Sequence, residues 1–143
     1  MQIQYHFDSE LKILFAKGIG IISLDELMEY GRKVLEIPDD LTGAIEYVDF
    51  SEATDIAVSY QSAQQMLDVY KQWMAKGIVG SVLYTPTDLC YGMARMIGAV
   101  LSSVSGKPVR GPLVTRMPIS PENLRSWLAE AIAAEHSGSR QKI

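Results

Sequence analysis

The sequence is poor in the residues that mark specialised chemistries. It has one cysteine, Cys90, in 143 residues, so no disulfide can close within the chain. With only two histidines, His6 and His136, far apart, it shows no zinc-cluster spacing. Basic residues are scattered, without a run that would track a phosphate backbone, and the net charge is −4. Both features argue against nucleic acid as a partner. No apolar run approaches the ~20 residues of a transmembrane helix. The opening Met1-Gln2-Ile3-Gln4-Tyr5-His6 lacks the basic and apolar regions of a signal peptide, so a soluble, cytoplasmic protein is expected. No glycine-rich phosphate loop, G-x-S-x-G or H-E-x-x-H pattern occurs. The residues call for no metal, no cofactor and no enzyme.

What is present is ordinary globular material, 48% hydrophobic and 21% charged. Length and composition fit one domain, expected over residues 1–135, with 136–143 as a flexible polar tail. Ile3, Tyr5 and Phe7 alternate with polar residues and predict a strand, and Ile13–Ala16 a second, stopping near Gly18 and Gly20. Ser23 and Glu26 have capping-box spacing before a helix that Pro38 ends. Ala44–Phe50 reads as a third strand, Ser51–Val58 as a loop, and Ser59–Lys76 as a helix closed by Gly77. Ile78–Tyr84 is a nearly continuous apolar strand. Thr85 as cap with Pro86 at the first helical position opens a helix to about Val104, followed by a loop at Ser105–Pro108. A short strand at Leu113–Arg116, placed at a sheet edge by Gly111-Pro112, precedes a last helix from Ser120-Pro121. The order β-β-α-β-α-β-α-β-α predicts an α/β domain: a mixed, mostly parallel five-stranded sheet with four helices.

Ligands of open α/β sheets gather beyond the carboxyl ends of the strands. Those ends carry Asp49, Ser51, Glu52, Tyr84, Thr85, Thr87, Arg116 and Met117. As a site they suit a small polar or anionic ligand; as structure they are caps and loop polarity. Tyr91-Gly92-Met93-Ala94-Arg95-Met96-Ile97-Gly98 is the most unusual stretch, because each mid-helix glycine costs ~1 kcal/mol relative to alanine. Gly92, Arg95, Gly98 and Ala99 fall near one face, which a partner chain, a ligand or a neighbouring helix could approach. Tyr91 and Arg95 are an i, i+4 pair. Arg95 suits either an anionic head group or a structural ion pair with Glu46, Asp49 or Glu52.

Three features carry a resemblance: Gly18–Leu27 after the hairpin, the strand Tyr47-Val48-Asp49-Phe50-Ser51, and Tyr91-Gly92-Met93-Ala94-Arg95-Met96 with Leu124-Arg125-Ser126-Trp127-Leu128 downstream. Together, over about residues 3–130, they resemble the bacterial SpoIIAA-like proteins. These have a STAS-like fold and are also compared with CRAL-TRIO lipid-binding domains. The resemblance implies a small or lipid-like ligand and supports Arg95, Tyr91, Asp49 and Ser51 as binding residues. Anti-sigma-factor antagonists carry a phosphorylated serine in an Asp-Ser-Ser-Gly-like segment. The corresponding Asp55–Gln61 stretch lacks that segment but places Ser59 at a helix N-cap as a phospho-switch candidate.

The leading expectation is a non-enzymatic binding module with an apolar pocket beneath the helix that opens at Pro86. Arg95 or Arg116 would meet the ligand's polar end, with Tyr91, Thr87, Asp49 and Ser51 nearby. Peripheral membrane contact and a homodimer are both compatible with it. The alternative is a STAS-type regulatory domain that docks another protein through Ser51–Ser59.

Overall fold

The computed structural model describes residues 2–102 and 111–141. The expected loop at Ser105–Pro108 lies outside the described residues. Strands β1 (Ile3–Asp8) and β2 (Ile13–Ser23) form the antiparallel hairpin. Its turn is held by Asp8 Oδ1, which accepts from the Glu10 and Leu11 N–H groups. Helix α1 (Leu24–Leu35) follows. Ser23 caps it as its spacing predicts: Ser23 Oγ accepts from the Glu26 N–H and donates to Glu26 Oε1.

Strand β3 (Ile45–Ala57) is parallel to β2. The next helical segment is broken by one tight turn, giving α2 (Tyr60–Ala63), a 3₁₀ turn (Gln64–Met66) and α3 (Leu67–Ala75). Gly77, at φ +102°, closes it, and a Cβ there would lie 2.6 Å from Thr42 Cα. Strand β4 (Gly80–Tyr84), helix α4 (Asp88–Ser102), strand β5 (Leu113–Thr115) and helix α5 (Leu124–Gln141) complete the chain. The architecture is therefore α/β, a five-stranded mixed sheet with four helical segments. Strand order is β1-β2-β3-β4-β5, with β5 at the edge.

That order decides the layering. Right-handed crossovers taken in one direction put successive helices on the same sheet face. Accordingly Tyr30 and Val34 of α1, Tyr70 and Trp73 of α3, and Ala94 and Ile97 of α4 share one core with Leu14, Val48, Phe50 and Leu83 of the sheet. The opposite face buries Ile13, Ile45 and Val82 under Leu124 and Leu128 of α5.

Three local expectations are corrected. Residues 51–57 are not a loop: β3 continues to Ala57, pairing Ile19 with Glu52 and Ser23 with Ala57 across two register irregularities. β2 likewise runs through Gly18 and Gly20, which pair with Ile3 and Ala53; a Cβ at Gly18 would lie 2.8 Å from the Phe50 ring. That glycine serves packing rather than a strand end. Helix α4 begins two residues later than Pro86 predicts. Thr85 is fully buried and its N–H donates to Thr115 O, so the sheet claims it, while Thr87 Oγ1 accepts from the Cys90 N–H as cap. Helix α5 runs to Gln141, into the segment expected as a tail.

Because α5 provides the buried leucines over the second face, Leu124→Ala should lower unfolding free energy by about 2–5 kcal/mol. Urea denaturation would register this as a lower midpoint, with far-UV circular dichroism of the native state retained.

Candidate functional site

The sequence-predicted residues fall into two separate groups on the surface. Arg116 and Arg95 flank the Tyr91 ring, at 4.9 and 5.8 Å from its centroid. Arg116 also donates to Pro86 O and to Asp88 Oδ1, the latter at 2.8 Å. Both partners of that ion pair are exposed, where such pairs contribute ~0–1 kcal/mol. Thr87 is exposed and holds the α4 cap. Asp49 and Ser51 belong to the other group. Asp49 Oδ1 accepts from the Ser51 N–H, beside the Lys17–Glu52 ion pair. Glu52 is the main cause that holds the Lys17 pKa above the ordinary lysine range, with Asp49 adding to it. Ser59 is exposed at the N-cap of the four-residue α2, bonded to Ser62 Oγ and accepting from the Ser62 N–H.

Neither the cavity described below nor the open depression beyond β5, lined by Thr115, Met117 and Trp127, takes in the two groups. A cleft at the strand ends arises where strand order reverses, and here β2 to β5 follow one another in one direction. The expected small-residue face also divides. Gly92 and Ala99 are exposed, with open space beside Gly92, while Gly98 is buried 2.8 Å, measured from an added Cβ, from Pro112 O. That glycine admits the chain entering β5.

The apolar site lies elsewhere, between the three-helix layer and the sheet. A cavity there offers about 80 Å³ to the centre of a water-sized sphere, several times the ~10–15 Å³ that one water needs. Its walls come from Leu27, Met28 and Tyr30 of α1, Val69, Tyr70 and Trp73 of α3, Ala94 and Ile97 of α4, and Val48, Phe50 and Leu83 of the sheet. It lies under α4 among other elements, and neither Arg95 nor Arg116 lines it. Gly31 sets its width: a Cβ there would fall 2.7 Å from Val69 Cγ1, and its carbonyl accepts from Trp73 Nε1 at 2.9 Å. Tyr30 meets Tyr5 and Trp73 edge-on, with centroids 5.5 and 5.7 Å apart.

Among the described residues, one charged residue lines this apolar space. Glu46 is 5% exposed, and its Oε2 accepts from Tyr30 Oη at 2.5 Å. Ser81, paired with Glu46 across the strands, lies close enough to act on the carboxyl but makes no well-formed hydrogen bond of its own. Burial raises the Glu46 pKa above the ordinary carboxylate range, against the opposing effect of the Tyr30 hydrogen bond. Burial likewise pushes the Tyr30 and Tyr70 phenols up, with the Glu46 charge adding to both.

Sequence reasoning placed Glu46 only as an ion-pair partner for Arg95 and passed over Tyr30 and Trp73. The readable signal is a glutamate between Ile45 and Tyr47–Val48, inside a strand covered on both faces. A buried carboxyl there must find a donor on a neighbouring helix. Comparison with protein-family models, curated proteins and solved structures returns no significant match.

The raised Glu46 pKa has a definite linkage sign. Between its unfolded and folded values the folded state holds more protons. Stability from this group is complete below the ordinary carboxylate value and is lost as pH rises through the folded one. Urea denaturation from pH 4 to 8 should therefore show Glu46→Gln gaining on the unaltered protein as pH rises. Tyr30→Phe, which strips the carboxyl of its donor, should cost about 1–3 kcal/mol.

Proposed function

We propose that this protein is a non-enzymatic binding module that holds a small, largely apolar molecule between its three-helix layer and its sheet. The observation that carries the reading is a cavity walled by aromatic and aliphatic side chains yet provided with one buried carboxyl. Small-molecule sites combine such walls with a few polar groups that orient the guest. Met28 and Met66 among the lining residues suit a wall that adapts to its occupant. Kinship with the SpoIIAA-like proteins, with their STAS-like fold, belongs to the same proposal, as do a cytoplasmic setting and peripheral membrane contact. The ligand's polar end is reassigned from the surface arginines to the cavity's own carboxyl.

Toluene, an apolar probe without a head group, tests the cavity directly. Calorimetry should show saturable binding, accompanied by quenching or enhancement of tryptophan fluorescence. Ala94→Phe, which places a ring in the space, should weaken binding at least tenfold. Arg95→Ala and Arg116→Ala should bind toluene as the unaltered protein does. No binding to the unaltered protein, or undiminished binding to Ala94→Phe, would sink the reading.

A second reading, a regulatory domain that docks a protein partner, is favoured by one feature. The paired ends of β2 and β3 extend beyond β4, whose register stops at Tyr84 opposite Asp49. Ser51, Glu52 and Thr54 stand exposed on this ribbon, with Ile21 59% exposed. Parallel pull-downs with the unaltered protein and Glu52→Lys should recover a partner that the variant loses; equal recovery would count against this surface.

A further inference from the structure

The cavity's polarity selects the head group of its guest. This rests on the binding reading above and adds to it the chemical class of ligand. Two donors on the wall are already engaged: Tyr30 Oη donates to Glu46 Oε2, and Trp73 Nε1 donates to Gly31 O. Tyr30 takes one carboxyl oxygen; the other, Oε1, is an acceptor for a guest when the carboxyl is ionised. Among the described residues, no lysine, arginine or histidine lines the space. A guest carboxylate or phosphate would meet a carboxyl and no cation, whereas a hydroxyl or ammonium would meet an acceptor it can satisfy. The rings around that acceptor, Tyr30, Tyr70, Trp73 and Phe50, present faces and edges that also tolerate a cationic head.

We propose that the cavity takes an apolar molecule bearing a single hydrogen-bond-donating head, an alcohol or an amine, with that head on Glu46. Acids and acceptor-only molecules of the same size are discriminated against. A site built to receive a donor rejects the analogue that lacks it, because its own buried polar group is then left unpaired.

The test is a size-matched series on the full chain at pH 7 by calorimetry: 1-phenylethanol, 1-phenylethylamine and acetophenone, with toluene as the headless reference. At least one donor should bind tenfold or more tighter than acetophenone, and which of the two does so separates the neutral from the cationic head. In Glu46→Met the acceptor is gone and the Tyr30 hydroxyl is released as a donor, so the preference should shrink or invert. Acetophenone affinity within tenfold of both donors, with toluene still bound, overturns the head-group assignment and leaves the cavity reading intact. Failure of all four probes overturns both. The unaltered protein decides the matter even if Glu46→Met does not fold.

Discussion

The parallel ladder between β2 and β3 joins Ile13 to Ile45 at one end and Ser23 to Ala57 at the other, and the helices take their places from it. Once β2 and β3 run side by side in the same direction, α1 must cross over between them. The same hand repeated through α3 and α4 stacks three helices on one face. The chain then has one remaining helix, α5, for the other face. The unequal cover follows from strand order. The apolar space of the fold lies where three helices meet the sheet.

Within that space the costly element is Glu46. A carboxyl removed from water is tolerated only with hydrogen bonds or neutralisation. Here α1 supplies Tyr30 as donor, and burial favours the protonated form. The donor's placement depends on the close approach of α1 to α3 at Gly31 and on the Trp73 hydrogen bond to its carbonyl. Backbone packing and side-chain chemistry therefore meet at one turn of α1. A larger residue at position 31 would spread the helices and move the donor away from its acceptor.

The surface arginines belong to a different economy. Arg116 and Arg95 share the Tyr91 ring, and Arg116 ties the start of α4 to the end of β5 through Asp88 and Pro86. Arg116 thereby forms a junction between two elements, whereas Arg95 and Tyr91 belong to the same helix. In an exposed setting that junction contributes little to stability.

The sequence by itself determined the element types, their order and the caps, because these depend on neighbours a few residues away. Ser23 with Glu26, Gly77 after α3 and the turn at Asp8 were all legible for that reason. It did not show that residues 51–57 form a strand, since their polar pattern makes sense only beside β2, nor that Gly18 is kept small for Phe50. Thr85 was misread as a cap because its true hydrogen bond goes to Thr115, thirty positions away. The candidate site was the least legible part. Tyr30, Glu46, Tyr70 and Trp73 lie on three elements, and each alone reads as ordinary core. Only the tertiary structure decided that they share one cavity, because packing alone brings side chains so distant in sequence within reach of one carboxyl.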